Sequence, residues 1–284
     1  MKKQILLIGG DQRTPYLAKI LAKHNFNIFM YGMEQCPLTP FTVTLTKHLN
    51  HADLYILPIP FSKDGKTIHA PFSPTPIPIK DVIDLLRPGD ILVGGNIPDW
   101  VMNHGKNQNS IVFDYGKSDE FADENALPTA EGALEILLNQ TPYVLEGKSV
   151  CVVGYGRIGK ILAKKLKALD CNVTVTARQS HQLETIRDLG YTPLLTNNLC
   201  NGNTFDIIIN TVPAPVVNKD VINHQEKNCL IIDLASKPGG VDFEYANELG
   251  IKTIHALSLP AKHAPETAAM IIEKSILKFL EETE

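Results

Sequence analysis

The chain has 284 residues, room for about two domains of ordinary size. It is 44% hydrophobic and 20% charged with a formal net charge of -4, a balance that gives a polyanion such as nucleic acid no footing. Five cysteines (Cys36, Cys151, Cys171, Cys200 and Cys229) lie far apart with no C-x-x-C pair, which argues against a disulfide framework or a zinc site and suits reduced thiols. After the basic start, Met1 to Lys3, the apolar run Ile5 to Ile8 ends at Gly9-Gly10, too short for a signal peptide or a span. The expectation is a cytoplasmic protein with no membrane partner and no bound metal.

Short runs rich in Ile and Val alternate with amphipathic stretches, the pattern of βαβ units on a parallel sheet. In the first half, strands are predicted near 4–8, 27–31, 53–57, 90–94 and 110–113, with helices around 14–24, 40–50, 79–86 and 98–104. Between Pro58 and Pro78, six prolines remove backbone donors and disfavour helix, so this piece reads as a loop able to cover a site. The run Pro128-Thr129-Ala130-Glu131-Gly132 is read as opening a linker helix to about Asn139. A second series has strands near 149–153, 172–176, 206–210, 229–233 and 252–255, and helices near 157–169, 181–189, 218–224 and 242–249. Gly190 and Gly250 sit where helix C-caps belong. A last helix from Pro265 carries Ala268, Ile271, Ile272, Ile276 and Phe279 on one stripe. It either packs back on the first domain or serves only its local core.

The fold class is therefore α/β, with two doubly wound parallel-sheet domains. Residues 1–128 form a flavodoxin-like substrate domain, joined by the helix 265–284; 129–141 is the linker helix; 142–264 is a Rossmann NAD(P)-binding domain.

The string Gly154-Tyr155-Gly156-Arg157-Ile158-Gly159 follows a predicted strand and runs into a helix, the context in which glycines permit a tight turn, close approach of a pyrophosphate and helix–strand packing. An NAD site would place an acid about 20 residues on. Here the strand ends in Ala177-Arg178-Gln179-Ser180. Arg178, supported by Ser180, suits a 2′-phosphate, which favours NADP over NAD without excluding NAD; a plain surface arginine is the alternative. Later strand ends put Thr211, Val212, Pro213, Asp233, Ala235 and Ser236 at the carboxyl edge, where cofactor contact is expected.

Several runs together resemble the A subunit of dipicolinate synthase: Leu127 to Ala133, Gly154 to Gly159, Ile232 to Gly240, Leu259-Pro260 with Ala264-Pro265, and the opening Ile8-Gly9-Gly10-Asp11-Gln12-Arg13. More distantly, the layout is similar to D-2-hydroxyacid dehydrogenases. The resemblance implies that the chain acts with a flavoprotein-like B subunit to make dipicolinate from the dihydrodipicolinate branch of lysine biosynthesis during spore formation. Two departures stand out. Lys237 replaces an arginine of the relatives, and Ala261 and His263 replace a glycine and an apolar residue.

Oxidising a dihydropyridine dicarboxylate needs a hydride acceptor, a base, and cations for two carboxylates. Lys237 and Arg13 are the candidate cations, facing an interdomain cleft; the alternatives are a solvated loop lysine and a helix-start surface charge. Asp11 orients Arg13 or caps its helix, and Gly10 adjoins them. Glu131 is either cleft chemistry or a first-turn acid stabilising its helix behind Thr129, a cap residue that is also a substrate candidate. Asn96 is a candidate cleft contact, and Trp100 is expected in the core. None of the nine histidines, His263 included, stands out as the base. No Gly-x-Ser-x-Gly elbow, P-loop or HExxH string supports a hydrolase or a triphosphatase. A non-catalytic subunit that passes NADP(H) or substrate to a partner stays open, a D-2-hydroxyacid dehydrogenase fits less well, and a homodimer is the habit of such folds.

Overall fold

The computed structural model describes residues 2–38 and 43–283. The chain divides into two compact units, residues 1–125 with 260–284, and residues 126–259.

The first unit contains β1 (Gln4–Ile8), α1 (Arg13–Leu21), β2 (Asn27–Tyr31), β3 (Thr44–Leu45), β4 (Leu54–Ile56), α2 (Ile79–Ile83), β5 (Ile91–Gly94), α3 (Asp99–Asn107) and β6 (Ile111–Asp114). The strands form one parallel sheet in the order β3-β2-β1-β4-β5-β6. Strand β1 is central, and Ile5 to Ile8 are no more than 2% exposed. Such unbroken apolar runs belong to strands covered on both faces. The helix expected over 40–50 does not form in its described part. Thr44 pairs with Phe29 as the edge strand β3, and residues 40–42 lie outside the described residues. Val43, Thr44 and Thr46 are β-branched, which lowers the preference for helix.

Helix α4 (Asp119–Gln140) follows, and the boundary between the units falls inside it. It starts nine residues before Pro128, which lies in the helix interior rather than at its opening. The start is set instead by Ser118, whose hydroxyl accepts the Phe121 N–H at 3.4 Å, and by Asp119 and Glu120 in the first turn. Pro128 removes from the helix the N–H that would have met the Glu124 carbonyl.

The second unit contains β7 (Ser149–Val153), α5 (Arg157–Ala168), β8 (Asn172–Ala177), α6 (Ser180–Asp188), β9 (Thr192–Leu195), β10 (Ile207–Asn210), α7 (Lys219–Asn223), β11 (Leu230–Asp233), α8 (Phe243–Glu248) and β12 (Lys252–His255). Its parallel order is β12-β11-β10-β7-β8-β9. Strand β9 is not among the predicted strands, because Pro193 interrupts its pattern; it lies at the sheet edge, where a missing donor is tolerated. Gly190 and Gly250 adopt φ of 76° and 70° just after α6 and α8, as helix-ending glycines do. A short α9 (Leu259–His263) precedes α10 (Pro265–Thr283). Helix α10 returns to the first unit: Ala269, Ile272 and Ile276 share a core with Leu17, Ala18 and Leu21, and Phe279 stacks on Phe113 at 4.2 Å.

Candidate functional site

The three glycines after β7 do three different physical jobs. Gly154 takes φ of 101°, and a Cβ on it would lie 2.6 Å from Thr211 Oγ1 and 2.7 Å from Val212 Cγ2. A Cβ on Gly159 would lie 2.1 Å from the Gly154 carbonyl oxygen, so this glycine lets α5 close on the turn. Nothing lies within 4 Å of a Cβ on Gly156. That is the opening a pyrophosphate needs. Gly156 is extended, no side chain caps α5 there, and no acid occupies its first turn, so the helix N-terminus presents its N–H groups and positive dipole end to a ligand. The residues present fit a dinucleotide. Around them Tyr155 and Ile158 are half-buried and Arg157 is exposed.

At the end of β8, Arg178, Gln179 and Ser180 are exposed, and no carboxylate stands from Ala177 to Ser180. Beyond β10, Thr211 Oγ1 donates to the Val153 carbonyl at 2.9 Å, Val212 is half-buried and Pro213 is exposed.

Asp233 departs from its expected cofactor contact. It is fully buried, and its carboxylate accepts from Asn210 Nδ2 at 2.8 Å, from the Ala235 N–H at 3.0 Å and from the Gly240 N–H at 2.9 Å. Ala235 is 4% exposed as well. This knot shapes the loop that leaves Ser236 and Lys237 exposed. Asn210 opens the strand-end segment Asn210 to Pro213, where the sequence leads one to expect ligand contact, and its side chain turns inward instead: it ends the run Ile207-Ile208-Ile209 in register with Asp233, which ends Leu230-Ile231-Ile232.

The linker helix corrects two further expectations. Thr129 lies inside α4 and not at its start, and Glu131 is far from the first turn, so the dipole argument for it fails. Glu131 instead pairs with Lys165 of α5 at 2.8 Å.

In the first unit, β1 and β4 are neighbours at the point where the strand order reverses, the place where open α/β sheets bind ligands. Gly9 and Gly10 have φ of 63° and 98°, and the Gly10 N–H donates to the His69 carbonyl at 2.8 Å. Asp11 and Arg13 form a bidentate pair at 2.9 and 2.8 Å, and Arg13 also donates to the Ile59 carbonyl. At 7% exposure Arg13 is no surface charge. Burial pushes the Asp11 carboxyl up, but the Arg13 hydrogen bonds and charge, with a smaller pull from His69, win and hold it below the usual carboxylate range. A cavity of about 20 Å³ beside the pair, lined in part by Thr14, Tyr115 and Ile272, has room for one water.

His69 does not stand out in the sequence, where only the proline density hints at a cover. It is half-buried, and burial, then the Lys63 charge, push its imidazole pKa down against the pull of Asp11. It lines an open pocket of about 410 Å³ with Lys63, Thr67 and Ser73. Asn96 is exposed at the end of β5 with φ of 61°. Its N–H and those of Ile97 and Gly116 converge on the buried Asp114 carboxylate at 2.8, 2.9 and 2.9 Å. Trp100, expected in the core, is 46% exposed. Among the described residues there is no cluster able to hold a metal ion and no helix long and apolar enough to cross a membrane.

Two parallel-sheet units, the second with a glycine turn open to a pyrophosphate, define a protein of the dehydrogenase class that binds a nicotinamide dinucleotide. Residues 135–232 match the family described as D-isomer specific 2-hydroxyacid dehydrogenase, NAD binding domain, and residues 4–115 match the N-terminal domain family of the dipicolinate synthase A subunit. The chain is 31% identical over 286 residues to the dipicolinate synthase A subunit of Bacillus subtilis (strain 168), covering 98% of this chain and 96% of that one. It is similar to the crystal structure of the dipicolinate synthase A subunit from Bacillus halodurans, with TM-score 0.88 and 30% identity over 98% of this chain and 97% of that one. The crystal structure of the same subunit from Bacillus subtilis gives TM-score 0.84 and 30% identity over 99% and 97%. The chain belongs to the family of dipicolinate synthase A subunits.

Proposed function

We propose that the chain is the NADP-dependent subunit of a dipicolinate synthase, oxidising dihydrodipicolinate or its hydrated precursor to dipicolinate in the cytoplasm of a sporulating cell, together with a flavoprotein-like B subunit. The observation that carries this reading is the identity, across both units, with the dipicolinate synthase A subunit of Bacillus subtilis. The choice of NADP rests on Arg178 and Ser180, exposed where an NAD site would hold an acid.

When bound, NADP+ supplies the hydride acceptor, and aromatisation of the ring supplies driving force. Lys237, exposed on the loop shaped by Asp233, is assigned to a substrate carboxylate. In the first unit, Gly10, Asp11 and Arg13 are assigned to substrate binding with Asn96. Arg13 acts there with the guanidinium N–H groups that Asp11 and the Ile59 carbonyl leave over. Thr129 and Glu131 of α4 complete the assignment, Glu131 as the acid–base group held by Lys165. A second reading has its own support: Arg13 and Glu131 are each engaged by an internal partner, which suits a subunit that binds NADP(H) and substrate while the partner performs the redox step.

The test is absorbance of NADPH formed from NADP+ and dihydrodipicolinate by the chain alone, then with its B subunit, against a simple 2-hydroxy acid. Turnover by the chain alone supports the first reading, and turnover only with the partner's own redox group supports the second. Turnover of the hydroxy acid alone would sink both.

A further inference from the structure

The glycine turn after β7 is held by a contact from outside its own sequence string. The Gly154 N–H donates to Thr176 Oγ1 at 3.1 Å, and that oxygen lies 3.3 Å from Thr196 Oγ1. Thr176 is fully buried and Thr196 is 8% exposed. Valine has nearly the shape of threonine and would suit this strand, whose neighbouring Val173, Val175 and Ala177 are all buried and apolar. Burying a hydroxyl instead costs free energy unless it is bonded, so its bond to Gly154 is the reason for it. On the other side, Thr211 Oγ1 donates to the Val153 carbonyl at 2.9 Å. Threonine hydroxyls from two directions therefore fix the peptide that joins β7 to the turn.

We propose that Thr176, backed by Thr196, is a positioning residue for the cofactor. Its hydroxyl sets the Gly154 amide, and with it the direction in which Gly156 and the first N–H groups of α5 face the pyrophosphate. The inference rests on the dinucleotide reading of that turn. The pyrophosphate is common to NADPH and NADH, so Thr176 acts equally on both. Arg178, two residues further along the same strand end, acts on the 2′-phosphate alone.

The experiment is calorimetric titration of the full chain with NADPH and with NADH, on the parent, Thr176→Val, Thr176→Ser and Thr196→Val, each with a thermal melt. Thr176→Val frees the Gly154 amide to turn away and is expected to weaken both dinucleotides by the same factor of about ten, the size of one misdirected N–H bond to the pyrophosphate, and Thr176→Ser to restore binding. A threonine that only stabilises the fold would lower the melting temperature and leave both Kd values where they were, and that result overturns the proposal. If Thr176→Val does not fold, Thr196→Val decides. An equal loss of about two- to threefold supports the relay, and unchanged affinity overturns it. Should the parent bind neither dinucleotide, the cofactor reading itself fails before any variant is compared.

Discussion

Asn210 Nδ2 donates to Asp233 Oδ1 at 2.8 Å between two strand ends, with both residues fully buried. No cation faces this carboxylate among its hydrogen-bond partners; an amide and two backbone N–H groups carry its charge. Asp233→Ala leaves three buried donors unpaired and is expected to lower stability by about 3 kcal/mol or more. Urea unfolding checks this, and a loss under about 1 kcal/mol would show that the knot is dispensable.

Arg178→Ala is expected to weaken NADPH by about 1–3 kcal/mol, the range of charge-assisted contacts, and to leave NADH unchanged. Competition between the two dinucleotides reads this directly. An equal loss for both would move Arg178 away from the 2′-phosphate.

The glycine turn separates binding from folding. Gly156→Ala meets nothing within 4 Å and keeps an ordinary φ of -87°, so the variant should melt with the parent and still lose dinucleotide affinity by about tenfold or more. Gly159→Ala puts a methyl 2.1 Å from the Gly154 carbonyl and should cost about 1–3 kcal/mol of stability as well. Identical melting behaviour of the two variants would contradict this division.

The Asp11, Arg13 and His69 group predicts a pH dependence. Asp11 has its folded pKa below 3.8, so its contribution to stability is complete above 3.8 and is lost only as the pH falls below that value. In Arg13→Ala burial is left unopposed by the guanidinium. The folded pKa of Asp11 then rises from its value in the parent, and stability falls relative to the parent at neutral pH. His69 has its folded pKa below 6.5, so the folded state is favoured above 6.5 and loses stability as the pH falls through that range. His69→Gln should flatten that part of the curve. Unfolding free energies measured from about pH 3 to 8 test both, and a His69→Gln curve parallel to the parent would refute the second.

Much of the fold was legible because its signals are local. The runs Ile5 to Ile8, Val150 to Val153 and Ile207 to Ile209 are apolar without interruption and alternate with helix-length amphipathic stretches, and the two together mark strands of a parallel sheet. The glycine string and the missing acid before Arg178 lie within one βαβ unit. Pro128 misled for the opposite reason: a local rule placed a helix start there, while Ser118 and the acids after it had already opened α4.

By itself the sequence determined the two parallel sheets, the dinucleotide turn and the acid-free end of β8, because periodicity and turn chemistry act between residues close along the chain. Only the tertiary structure decided which polar groups turn inward. Asp233 meets Asn210, Thr176 meets Gly154, Glu131 meets Lys165 and Gly10 meets His69 across gaps of 22 to 59 positions. A carboxylate or hydroxyl at a strand end reads alike whether it faces a ligand or a neighbouring strand, and burial against a distant segment decides between the two.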